Sequence, residues 1–207
     1  MSKAYKGFAS EATVPPGTVV REAGRSRGDW IQTFTGRQFW PLDPRAEDVC
    51  LLDIAHALAM KCRYTGHSLT FYSVAQHSVL VSVCCENVGS VEAARWGLLH
   101  DAAEAYLPDV ARPIKGELVG YQAIEDRIMA VIAEVFGLEL PIPEYVHQAD
   151  LKLLATECRD LMAPPPRPWI SIEQIEPLAK QIESWTPVIA KCFFLNACRR
   201  LGVEKND

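Results

Sequence analysis

The sequence predicts an all-α protein, a helical bundle with a small N-terminal β-hairpin. From Asp48 onward apolar residues recur at helical spacing, broken by caps and prolines at intervals of one helix length. Strand-like alternation occurs in a single stretch, "WIQTFTGRQFWPL" (30–42), around Thr35-Gly36. The first 29 residues are polar and rich in Gly, Pro and Arg, and read as a loose arm. The expected organisation is therefore 1–45 as arm plus hairpin packed on the core, and 46–207 as one helical domain with extra C-terminal helices.

The elements follow in order. "DVCLLDIAHALAMKCR" places Leu51, Ile54, Ala55, Leu58, Ala59 and Cys62 on one stripe of a helix. After the loop "YTGHSLTFY", Ser73 opens a helix running to about Glu86, with Gln76 three residues on as in a capping box. Ser90 caps the next, "VEAARWGLLHDAAEAY". Residues 117–136 make a long amphipathic helix, and Pro143 starts another that ends near 162. "APPPRP" (163–168) breaks the chain and reads as a linker. Two last helices are expected, at about 172–184 and 187–201, the second opened by Thr186-Pro187 and closed before Gly202.

Composition narrows the function classes. At 207 residues, 49% hydrophobic and 23% charged, the chain can bury a substantial core. A formal net charge of −5 without a Lys/Arg-rich run argues against duplex nucleic acid as a partner and leaves room for a small anionic ligand. No apolar run is long enough for a transmembrane helix, and "MSKAYKGFASEATVPPG" lacks a signal-peptide core. Seven cysteines, none in a CxxC pair, read as reduced thiols of a cytoplasmic protein without a thiolate zinc site.

The chemistry gathers at "GLLHDAAEAYLPDVARPIK" (97–115). On a continuous helix, with His100 at zero, Asp101 lies at about 100° and Glu104 at about 40°, opposite Ala94, Leu98, Ala102 and Ala105. Imidazole with carboxylate suits borderline divalent ions such as Mn²⁺, Co²⁺, Zn²⁺ and Fe²⁺. Two ligands are too few, and further ones must come from other helices. His56, His67, His77 and His147 are the remaining histidines, and Asp150 shares the helix of His147.

"VAQHS" (His77), "LLHDAAE" (His100, Asp101) and "VHQAD" (Asp150) set out H…HD…D on three expected helices, 23 residues from His77 to His100 and 49 from Asp101 to Asp150. The pattern resembles the HD-domain metal-dependent phosphohydrolases over about residues 46–162. The stretch "HDAAEAYLPDVARPIK" is similar to that of bacterial 5′-deoxynucleotidases. The hairpin and "EDVCLLDIAHALA" resemble a phage-and-bacterial group that includes dATP triphosphohydrolases. The resemblance implies one divalent ion (Co, Mn, Zn, Fe or Mg) on His77, His100, Asp101 and Asp150. It implies Glu104 and Asp109 as catalytic groups, with acid and base unassigned between them. Arg63-Tyr64, 14 residues before His77, matches an Arg-aromatic pair whose aromatic is usually Trp. Arg63, Tyr64, His67 and Lys115 are then the substrate contacts, with Arg112 behind them and the arm's Arg21, Arg25, Arg27 and Arg37 as further cations for a triphosphate.

The activity so implied is hydrolysis of nucleotide phosphoesters, releasing phosphate from deoxynucleoside 5′-monophosphates or triphosphate from dNTPs. A cyclic-nucleotide phosphodiesterase and a degenerate regulatory HD module stay open as alternatives, as does a homo-oligomer. No membrane partner is expected. Trp30, Phe39 and Trp40 are read as packing of the hairpin.

Overall fold

The computed structural model describes residues 27–87 and 90–203, so the expected arm lies outside the described residues except for its last three. The hairpin forms where alternation placed it: β1 (Ile31–Gln32) runs antiparallel to β2 (Gln38–Phe39), with Ile31 opposite Phe39 and Gln32 opposite Gln38. Gly36 takes φ 82° in the connecting turn, a value that glycine reaches without a Cβ clash. Phe39 is fully buried and stacks on Tyr106 at 3.7 Å. Asp53 accepts from the Thr35 N–H at 2.7 Å and its hydroxyl at 2.9 Å, tying the turn to the first helix.

Seven helices follow among the described residues: α1 (Leu51–Met60), α2 (Val74–Glu86), α3 (Val91–Leu99), α4 (Arg112–Lys115), α5 (Tyr121–Phe136), α6 (Glu144–Leu161) and α7 (Pro187–Arg200). The described chain is thus mostly helical with one two-stranded hairpin, in keeping with the expected all-α class. Helix α2 is central and packs on α1, α3, α6 and α7. That position explains why its residues Val74 to Val79, polar ones included, are all buried. Ser73 caps it by accepting from the Gln76 N–H at 3.1 Å. The capping box is not closed, however. The Gln76 side chain instead donates to the Glu183 carbonyl at 2.7 Å and accepts from the Trp185 N–H at 2.8 Å.

Those two bonds belong to a second departure from expectation. No helix forms at 172–184, where a 3-10 turn (Ile170–Ile172) gives way to irregular chain. Pro177 removes a backbone donor in the middle of the expected helix. The remaining donors find side chains: Leu178 N–H bonds Thr156 Oγ1, and Ile182 N–H bonds Asp160, each at 2.9 Å. Two smaller shifts are of the same kind. The helix expected at 117–136 begins at Tyr121, after the separate turn α4, and Pro143 is the cap of α6 rather than its first residue.

Helices α2 and α3 approach closely at Gly97, where a Cβ would stand 3.0 Å from Ser82 Cα and 3.2 Å from Cys85 Sγ. Ser82 Oγ also donates to the Ala94 carbonyl at 2.8 Å, leaving neither helix free to slide. Gly97→Ala should therefore destabilise the fold by about 1–3 kcal/mol, the usual cost of overpacking. Thermal unfolding would show this as a melting temperature several degrees lower, and an unchanged one would mean the helices part easily.

Candidate metal centre and the cavity beside it

Helix α3 ends at Leu99, one residue before the His-Asp pair. His100 is its cap, and Asp101 adopts φ −101°, ψ 14°, in the sparsely populated bridge region. The expectation of one continuous helix carrying His100, Asp101 and Glu104 is thus corrected. The cause is local. His100 Nδ1 lies 2.8 Å from the Gly97 carbonyl, the acceptor that a continuing helix would offer to the Asp101 N–H. A carbonyl only accepts, so Nδ1 is the donor and His100 Nε2 is left to face the cluster. A 3-10 turn (Ala102–Ala105) then carries Glu104, and the half-buried Lys61 ammonium donates to the Glu104 and Leu107 carbonyls to hold the turn.

Three elements bring the ligand-type atoms together. His77 sits in the first turns of α2, fully buried; His100 and Asp101 lie at the end of α3; Asp150 lies in the second turn of α6. His77 Nε2 is 3.3 Å from His100 Nε2 and 3.2 Å from Asp150 Oδ1. The donor atoms of His77, His100 and Asp150 all fall within 4.8 Å of one another, a group that could hold a metal ion. Asp101 adjoins it: Oδ2 is 3.3 Å from His100 Nε2 and 3.8 Å from His77 Nε2. Two ligand atoms each about 2.0–2.1 Å from one ion at a tetrahedral angle are about 3.4 Å apart, close to the His–His spacing.

The electrostatics follow from this crowding. Burial opposes charge on His100, but Asp101 and then Asp150 outweigh it and push the ring up to about 9. Burial would likewise raise Asp150, but the hydrogen bond and charge of His77 hold it down to about 2. Asp101 falls well below the usual carboxylate range against its own burial, through His100, His77 and Arg63. A cation entering the cluster must displace the His100 proton. Between about pH 6 and 9 its apparent affinity should therefore rise by up to about tenfold per pH unit for each proton released. Calorimetric titration in buffers of different ionisation enthalpy measures that release, and a buffer-independent heat would contradict it.

Beside the cluster opens a cavity of about 600 Å³. Of the residues singled out from sequence, Arg63, Tyr64, His67, Asp101, Glu104, Asp109, Arg112, Lys115 and Asp150 all line it. Their states differ. Arg63 is partly buried between two acids, with Nη1 3.4 Å from Asp101 and Nε 3.4 Å from Glu157 without hydrogen-bond geometry. Lys115 pairs with Glu125 at 2.7 Å, and His67 and Asp109 are exposed on the rim. Glu104 Oε2 is buried without a hydrogen-bond partner, and burial, then Asp101 and Asp109, push the carboxyl up to about 8. Arg27, by contrast, ion-pairs with Asp43 and Asp48 and covers Trp40 at 3.9 Å. Arg21 and Arg25 lie outside the described residues.

Sequence reasoning missed Glu157 and Trp169. Glu157 on α6 is fully buried and accepts from His77 Nδ1 at 2.6 Å, Tyr72 OH at 2.9 Å and Tyr64 OH. Burial would raise its carboxyl, but Arg63 and His77 hold it down to about 2. The available signal was its place seven residues after Asp150, two turns along the same face. Trp169 lines the cavity with its ring 6.1 Å from that of Tyr64; nothing in the local sequence marks it.

Fold and site together define a helical protein with a two-histidine, carboxylate cluster at the wall of a cavity lined by both charged and apolar side chains. Over 132 residues, 64% of this chain and 72% of the relative, it is 43% identical to YfdR, an uncharacterized protein of Escherichia coli K12, and the chain belongs to that protein's family. Over 126 residues, 58% of this chain and 64% of the relative, it is 36% identical to an uncharacterized protein of Rhodobacter capsulatus. No family model matches the chain. No helix among the described residues is long and apolar enough to cross a membrane, and all seven cysteines are free thiols.

Proposed function

We propose that the chain is an HD-domain metal-dependent phosphohydrolase of the cytoplasm, acting on deoxynucleotide phosphoesters with release of phosphate from deoxynucleoside 5′-monophosphates or triphosphate from dNTPs. The observation that carries the reading is the meeting of His77, His100, Asp101 and Asp150, in H…HD…D order, beside a cavity walled by Arg63, Tyr64 and Glu104. The donor set fits one divalent ion, which His77, His100 and Asp150 would hold with the adjoining Asp101. Such an ion supplies Lewis-acid polarisation of a phosphoryl oxygen and lowers the pKa of a water towards neutrality.

The chain's own groups account for the rest. Glu104, unpaired and raised towards neutrality, is suited to take a proton from the attacking water. Asp109, exposed at the rim after Pro108, is the second carboxylate of the cavity and is assigned to the water or the leaving group. Arg63 presents a guanidinium whose fork matches two phosphoryl oxygens, held in place by Asp101 and Glu157. Lys115 adds a cation, and His67 an imidazole that can donate to phosphate, on the same cavity wall.

Arg63→Lys keeps the charge and loses the fork, so it should raise KM and lower turnover with the fold intact. Unchanged kinetics would move the phosphate contact to Lys115 or Arg112. The sugar is placed by Tyr64, and a 2′-hydroxyl left buried and unpaired there costs about 1–3 kcal/mol. That is roughly 5- to 150-fold in selectivity. Matched assays of dAMP with AMP and dATP with ATP, reading phosphate and triphosphate separately, test it. Deoxynucleotides should be preferred, and equal rates on both sugars, or activity on a cyclic nucleotide alone, would overturn the substrate assignment.

A further inference from the structure

Glu157 is a carboxylate in a place that stability alone does not explain. It has no exposed surface, and a buried charge is a net cost that apolar residues of the same volume commonly avoid. Its partners divide by oxygen. Oε1 receives His77 Nδ1 at 2.6 Å and Tyr72 OH at 2.9 Å. Oε2 receives the Tyr64 hydroxyl and stands 3.4 Å from Arg63 Nε. One of these partners belongs to the metal-type cluster, and two line the substrate cavity.

We propose that Glu157 is a positioning residue that holds the His77 Nδ1 proton and so turns Nε2 towards the cluster, where an entering ion would replace the Nε2 proton, while the same carboxylate sets Arg63 and Tyr64 in the cavity wall. The assignment rests on the metal-centre reading above. An ionised carboxylate accepts and cannot donate, so the 2.6 Å contact requires the proton on Nδ1. Nε2 then faces Asp150, His100 and Asp101 at 3.2, 3.3 and 3.8 Å. A ligating histidine is commonly oriented by a carboxylate on its other nitrogen, which also makes it more basic towards the ion.

The substrate side depends on the other oxygen. Tyr64 and Thr65 have φ of 56° and 53°, the left-handed region that residues with a Cβ enter at a cost. The Tyr64–Glu157 bond ties this turn to α6. Asp150 and Glu157 share a helix face two turns apart, so α6 delivers a ligand-type carboxylate and the group that orients a second ligand.

Glu157→Gln keeps the shape but offers one acceptor atom where three donors converge beside the Arg63 guanidinium. Titration with Zn²⁺ alone should show affinity reduced about 10- to 100-fold, with cooperative thermal unfolding retained. Tyr72→Phe removes a partner of the same carboxylate that lies outside the cavity, and should keep Zn²⁺ affinity within a few-fold. Equal losses in both variants would make Glu157 a general packing group, and a Glu157→Gln chain with wild-type affinity would also overturn the assignment. If Glu157→Gln does not fold, nitrogen-15 NMR of the Zn²⁺-loaded wild type decides: His77 protonated on Nδ1 and bound through Nε2 upholds the assignment, and the opposite tautomer overturns it. A wild-type chain that takes up no Zn²⁺ would sink the metal centre and this assignment together. A metal-binding wild type beside an indifferent Glu157→Gln sinks this assignment alone.

Discussion

Asp101→Ala should come through purification with neither stoichiometric metal nor phosphohydrolase activity. Its carboxylate stands 3.3 Å from His100 Nε2 and 3.4 Å from Arg63 Nη1, at the seam between the metal-type cluster and the cavity. On the proposed function, the substitution removes one acidic ligand and frees the guanidinium proposed to meet the substrate phosphate. His100 also loses the main group that raises it, so its ring deprotonates more readily. That change alone would favour metal, and a loss of metal in this variant therefore measures the missing ligand. Elemental analysis after dialysis gives the answer. Full metal occupancy in Asp101→Ala would leave the ion to His77, His100 and Asp150.

Glu104→Gln should keep its metal and fold while turnover falls by roughly 10²–10⁴, the span of general acid–base contributions. Glu104 is set apart by having a buried oxygen with no partner and a carboxyl raised to about 8 by burial, Asp101 and Asp109. A group held near neutrality in a cavity wall can exchange protons at physiological pH. A bound cation draws that value down, so the loss should appear in kcat with the acidic limb of the pH–rate profile displaced or absent. Turnover within a few-fold of wild type would return Glu104 to a structural part in the turn held by Lys61.

Much of the arrangement was legible because it depends on short-range physics. The Ser73 cap and the apolar period of the following residues place His77 near the start of a helix, and the hairpin follows from alternation around Thr35-Gly36. The break at His100 was not legible, since it arises when a side chain takes the Gly97 carbonyl from the backbone. The segment 173–186 misled for a related reason. Its apolar spacing suits a helix, but its donors are claimed by Gln76, Thr156 and Asp160 on helices distant in sequence. Glu157 escaped because a glutamate on an amphipathic helix ordinarily meets solvent, and only its partners from two other parts of the chain reveal a buried charge. The candidate site residues were found through their order along the chain, which survived the helix break.

If this cluster makes the chain a metal-dependent hydrolase of 5′-nucleotides, activity must follow metal reconstitution. The chain is stripped with a chelator, assayed against all dNMPs and dNTPs, and assayed again as Mn²⁺, Co²⁺, Zn²⁺ or Mg²⁺ is added. The account predicts no hydrolysis in the stripped chain and recovery that saturates near one equivalent of a binding ion, with phosphate or triphosphate as the product. Turnover that survives chelation, or a metal-loaded chain that hydrolyses none of these nucleotides, would contradict it.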